Sequence, residues 1–215
     1  MSRLIVGLTV LAALAGASTT AAPVPVHLMP KEPPLYFPTR VGAKWVYQYG
    51  EEGRHGVFGE ILLTLSVTAV ERTDRGVFVT VTRHEPNGES FLDQKVLVTR
   101  EGLEYVAGDQ GEPVSPRCVL KIPCVVGEKW KSDRSTEDFV RKWEYTALGT
   151  EEVKVPAGKF TAVGVRTRCV SGRRGDWPLI GSSADDWYAP GVGVVRVQYN
   201  PCFTPSSLLL KSFTP

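Results

Sequence analysis

From residue 44 onward, apolar and polar positions alternate with a period of two. In 58–71, Leu63, Leu65, Val67 and Ala69 fall on one face and Thr64, Ser66 and Thr68 on the other; in 77–83, Val77, Val79 and Val81 share a face. Successive side chains of a strand point to opposite faces, so this pattern predicts half-buried β-strands. No apolar repeat at helical spacing competes with it. Further strands are expected at 44–49, 91–100, 103–107, 139–155, 161–170, on both sides of Pro190-Gly191 within 186–199, and at 208–213. Turn signals separate them, among them Thr73-Asp74-Arg75-Gly76, Pro86-Asn87-Gly88 and Pro156-Ala157-Gly158, and the short spacings predict consecutive hairpins. The stretch 108–116 and the polar run 132–138 read as irregular connections. The expected fold is all-β: one antiparallel, strongly curved sheet with meander connections, an open or partial barrel.

One stretch occurs twice. Phe37-Pro38-Thr39-Arg40-Val41-Gly42-Ala43-Lys44-Trp45 and Ile122-Pro123-Cys124-Val125-Val126-Gly127-Glu128-Lys129-Trp130 share the order apolar, Pro, three spacers, Val-spaced Gly, any residue, Lys, Trp. Proline keeps the residue before it extended, glycine admits a turn, and Lys-Trp then begins a strand with a large apolar ring. Each copy is a strand opener, and the pair suggests a duplicated meander.

Upstream, Arg3 precedes an apolar run, Leu4 to Ala17, and small residues continue to Ala22. That is the layout of a signal peptide with cleavage after Ala17 or Ala22, and the run is short of the roughly 20 residues that span a bilayer. The expected organisation is signal peptide 1–22, a proline-rich leader 23–35 and one all-β domain 36–215, exported to the periplasm or beyond the cell, with no transmembrane anchor in the mature chain. Roughly 190 residues remain after cleavage, enough for one domain with a sizeable core.

Charge adds an exclusion. Lys and Arg total 25 against 23 Asp and Glu, a net charge of +2, which gives no electrostatic reason to expect nucleic acid. The cluster Arg166, Arg168, Arg173 and Arg174 is answered nearby by Asp176, Asp185 and Asp186, which reads as a solvated charged face. Four cysteines behind an export signal suggest disulfides. The strand directions bring Cys169 and Cys202 to one end of the sheet, so these are expected to pair. Cys118 and Cys124 pair by elimination if the chain folds back near Ile122-Pro123; a straight segment leaves cross-pairings or free thiols open. Zinc spacing is absent, His27, His55 and His84 are scattered, and no metal or other cofactor is expected.

No catalytic constellation emerges. No serine sits in a nucleophile elbow, Glu60, Asp93 and Glu144 read as ordinary strand carboxylates, His84 sits on a hairpin rim, and Gly191-x-Gly193 lacks the helix that a phosphate loop needs. Trp45, Trp130 and Trp143 are expected in the core. Trp177, Leu179 and Ile180 form an apolar patch in the loop 171–183, a candidate rim for a ligand or partner.

Taken together, the export signal, Val-Gly-x-Lys-Trp, Val155-Pro156-Ala157-Gly158-Lys159-Phe160, Trp187-Tyr188-Ala189-Pro190-Gly191-Val192-Gly193 and Leu210-Lys211-Ser212-Phe213 resemble the TapB-like group of exported bacterial proteins of unknown function. The resemblance implies a curved antiparallel sheet like the half-barrels of lipoprotein carriers, and no catalytic residues. The function expected is a noncatalytic exported module engaging a protein or envelope component. The alternative is a protein that binds a small apolar or lipid-like ligand in the concave face.

Overall fold

A computed structural model describes residues 34–51, 61–107, 113–136, 139–171, 180–200 and 206–215. The predicted signal peptide and most of the leader, with Trp177, Leu179 and Cys202, lie outside the described residues. Those described form twelve strands and no helix: β1 (Lys44–Glu51), β2 (Ile61–Thr73), β3 (Gly76–His84), β4 (Ser90–Val98), β5 (Gly102–Ala107), β6 (Pro113–Lys121), β7 (Lys129–Thr136), β8 (Phe139–Val155), β9 (Gly158–Ser171), β10 (Ser183–Ala189), β11 (Gly193–Asn200) and β12 (Ser206–Thr214). They make a single antiparallel sheet in which sequence neighbours pair, β6 and β7 excepted, and β1 pairs β12. The result is a barrel closed everywhere except along one seam, between β6 and β7.

That seam falls where the second opener lies, so the barrel consists of two six-stranded meanders, each begun by one copy. The backbone hydrogen bonds of the copies match. Gly42 N–H donates to Val67 O and Val67 N–H returns to Ala43 O; Gly127 N–H donates to Ala147 O and Ala147 N–H returns to Glu128 O, all at 2.8–2.9 Å. Both glycines have positive φ, 91° and 82°, which explains their place in the motif. Each partner strand then bulges one residue further on, between Val67 and Ala69 and between Ala147 and Gly149. A bulge increases local twist, which helps a sheet curl.

Two expected loops are strands. β6 carries Pro113 and Pro116 and β7 is polar, which hid both from the alternation; each borders the seam, where a strand lacks a ladder on one side and proline is tolerated.

Outward positions include Thr64, Ser66, Lys131, Glu144 and Arg166, the reverse of the apolar outer band of a membrane barrel. Inward positions hold the core, with Val79, Val81, Val96, Leu120, Val165 and Leu210 fully buried. The tight turns and both openers gather at one end. Most connections at the other end are longer, such as 52–60 and 172–182.

Candidate functional site

A cavity of about 320 Å³ occupies the interior toward the end with the long connections. Eight strands enclose an interior that side chains just fill, whereas twelve leave more room than aliphatic side chains occupy. The floor is Phe37 and Trp45. The N-terminal segment reaches it because Leu35 O accepts from Gly191 N–H at 2.7 Å, which draws Phe37 under the barrel against Trp45, ring centroids 5.5 Å apart. Trp45 Nε1 donates to Val192 O at 2.7 Å and Tyr47 OH to Val194 O at 2.8 Å, which fixes the floor and one wall.

The opposite wall is polar and aromatic. Tyr105 on β5 faces Arg117 on β6 in register, and the Arg117 guanidinium lies 5.3 Å from the ring centroids of both Tyr105 and Trp143. It is drawn over the rings by cation–π attraction and forms no ion pair with a described carboxylate. Trp143 Nε1 and Tyr145 OH are buried and have no hydrogen-bond partner among the described residues, and Tyr145 is 1% exposed. Trp143 is half-buried, packed against the core as expected, and also forms part of the cavity wall. Burial pushes the Tyr105 hydroxyl up to about 12 and the Tyr145 hydroxyl further, so both carry protons at neutral pH.

Two carboxylates enter the cavity. Asp93, displaced inward by a bulge in β4, accepts from Arg83 Nε and an Arg83 terminal nitrogen at 3.2 and 3.0 Å. Asp186, expected on the charged outer face, instead shares inward parity with Ala184 and Tyr188, and Thr167 Oγ1 donates to it at 3.3 Å. Its neighbour Asp185 is on the outer side, where Arg166 binds it through two hydrogen bonds of 2.7 Å, but at 8% exposed it is covered rather than solvated as expected. Alternation within one strand thus splits the acidic pair between inside and outside.

Burial raises the Asp186 carboxyl to about 7; the Thr167 hydrogen bond and the Arg117 charge oppose that rise and Asp185 adds to it. Between about pH 4 and 7 the folded state then holds more protons than the unfolded chain, so this group lowers stability as pH rises through that window. From 3.8 to about 7 the effect is at most about 4 kcal/mol, and solvent reaching the carboxyl through the cavity reduces it to about 2. Asp186→Asn should therefore gain urea midpoint relative to the parent between pH 4.5 and 7.5 and level off above. Parallel profiles across that window would exclude this assignment.

The remaining candidates are dispersed. Ile180 sits just before β10 and is 51% exposed. Tyr49 and Phe91, not singled out from sequence, lie at strand ends there on inward parity and are exposed. Glu144 faces outward to Lys131 at 3.3 Å, far in role from Asp93, and Glu60 is outside the described residues. His84 bridges Ser66 Oγ at 2.7 Å and Ser90 Oγ at 2.9 Å on the outer face. Among the described residues no three His, Cys, Asp or Glu side chains gather as metal ligands. Cys118 and Cys124 are present as separate thiols, with Sγ contacts to Leu120 O at 3.7 Å and Gly164 O at 3.9 Å. One faces its own strand at the seam and the other reaches across to β9. Cys169 is buried on β9.

No protein-family model matches the chain, and no curated protein matches it. Among solved structures, a candidate lipoprotein from Parabacteroides distasonis ATCC 8503 aligns with a TM-score of 0.58 at 14% identity, covering 84% of this chain and 99% of that one. A candidate exported protein with a YmcC-like fold from Bacteroides fragilis NCTC 9343 aligns with a TM-score of 0.55 at 14% identity, covering 85% and 100%. At that identity the likeness establishes the shared fold.

Proposed function

We propose that this protein is an exported, noncatalytic binding protein that holds a small amphiphilic ligand inside its barrel. The observation that carries the reading is the cavity itself. Protein interiors are close-packed, and a space of about 320 Å³ walled by Trp45, Tyr47, Trp143, Tyr145 and Tyr199 is within the range of ligand pockets. At about 30 Å³ per water-sized group, it holds a ligand, or the end of one, of roughly ten non-hydrogen atoms. That is one short chain and not a two-chain lipid. Tyr49, Phe91 and Ile180 supply an apolar rim across which such a chain enters. Export is supported by Arg3 with the apolar run after it, by the TapB-like resemblance, and by the exported and lipoprotein character ascribed to the two structural neighbours.

Native mass spectrometry of the protein purified from an exporting host tests this. The expected result is a native mass above the denatured mass by one to a few hundred daltons, lost on denaturation. A bare mass, under conditions in which a known lipid carrier keeps its cargo, would return the reading to a module that engages a protein or envelope component. Alkylation without reduction in the same preparation tests the proposed bridge from Cys169 to Cys202 and the state of Cys118 and Cys124: a bridged pair stays unlabelled.

A further inference from the structure

The polar wall says what chemistry the ligand's head must have. Among the described residues, one cation without a carboxylate partner faces the cavity from the seam side. The Arg117 guanidinium offers five N–H groups, can only donate, and forms no ion pair with a described carboxylate. It lies over the Tyr105 and Trp143 rings, while Trp143 Nε1 and Tyr145 OH are sealed off behind that wall. A cavity that keeps such a cation over two rings is complementary to a group that can accept from it.

The carboxylates do not fill that role. Asp93 is occupied by Arg83, and Asp186 is turned toward Thr167. A cationic ligand would be repelled by Arg117, and a neutral apolar one would leave its guanidinium without an acceptor. An oxyanion satisfies it, since charge-assisted bonds from a guanidinium to a carboxylate or phosphate are about twice as strong as neutral ones.

Resting on the binding function proposed above, we infer that the ligand is an amphiphile with a single oxyanion head, which Arg117 holds against the seam side of the barrel beside the Tyr105 and Trp143 rings. Its apolar tail extends along Leu63, Val197 and Leu208 toward the rim.

Octanoate, with ten non-hydrogen atoms, fits the cavity, and octan-1-ol is its neutral counterpart. Isothermal titration calorimetry with the full exported chain, freed of any cargo, should show octanoate binding at least tenfold tighter than octanol. Octyl phosphate should share that advantage. Arg117→Gln should abolish the preference while leaving octanol affinity within twofold. Arg117→Lys, which keeps the cation, should retain part of the octanoate preference and leave octanol unchanged. Equal affinity of the parent protein for octanoate and octanol would overturn the oxyanion head yet leave the binding function standing. Acetate or inorganic phosphate binding as tightly as octanoate would overturn the amphiphile. If neither eight-carbon probe binds and the native mass is bare, the binding function itself fails.

Discussion

Gly102→Ala is expected to destabilise the protein by about 3–5 kcal/mol, lowering the urea midpoint by about 2 M at an unchanged slope. Gly102 opens β5 with φ of +143°, and a Cβ built there would lie 1.8 Å from Leu120 O and 2.8 Å from the carbonyl carbon. Both obstacles are backbone, held in register by the pairing of Gly102 with Lys121 and by Ile122 N–H donating to Glu101 O at 2.8 Å. No side-chain rotation relieves the overlap. Relief requires β5 and β6 to separate just where β6 leads into the second opener, so strain and lost ladder bonds add. Gly88→Ala is the control. Its φ of +88° is equally foreign to alanine, but no atom lies within 4 Å of the added carbon, so it should cost only about 1–2 kcal/mol. Equal losses for the two variants would show that dihedral strain alone decides, and that the short approach relaxes freely.

That contrast also shows where local sequence stops speaking. A glycine after Arg100-Glu101 announces a turn; nothing near it announces that Leu120, eighteen residues on, passes over it. The same division runs through the fold. The strands with a buried inner face and a polar outer face, β2 and β3 above all, were legible because alternation records burial. The seam strands were not, because an edge relaxes the demand for apolar alternation that makes a strand visible. The openers were legible as strand starts, and their duplication as a hint of two meanders, because their job is local. The cavity was legible only in part. Ile180 could be proposed for the rim from its loop, but Arg117 and Asp186 are charges on inward parity, and parity marks them only once bulges are known. In β6 the bulge between the partners of Leu103 and Glu104 resets the count, so that Arg117 arrives inside. In β10 no such reset intervenes, and Ala184, Asp186 and Tyr188 already share one face in the sequence. A charged residue in phase with apolar neighbours was the available signal, and it points at the site.

Trp130→Ala is expected to cost about 3–5 kcal/mol and, unlike other core truncations here, to loosen one place before the rest. The ladder does not continue between β6 and β7, so side chains must span the gap. Trp130, 8% exposed, does most of this: its Nε1 donates to Cys118 O at 3.0 Å across the seam, and its ring stacks on Tyr145 with centroids 5.4 Å apart and planes 7° from parallel. Lys121 reaches over the same ring at 5.4 Å while pairing with Glu128 at 3.2 Å. Removing the indole leaves Cys118 O without its donor and Tyr145 without its stack, and two strand edges then face each other with little between them. Amide exchange in β6 and β7 should accelerate well beyond the global change, whereas Trp45→Ala, a truncation of similar size in the sealed β1–β12 region, should raise exchange evenly. Trp130→Phe keeps one aromatic ring but loses the N–H and part of the stacked area, so it should cost about 1–3 kcal/mol and still show the local acceleration at β6. Uniform exchange in both alanine variants would mean that the seam is held by something other than this residue. Because Tyr145 is at once the stacking partner of Trp130 and part of the cavity wall, loosening the seam should also weaken octanoate binding, tying the open edge of the barrel to the site behind it.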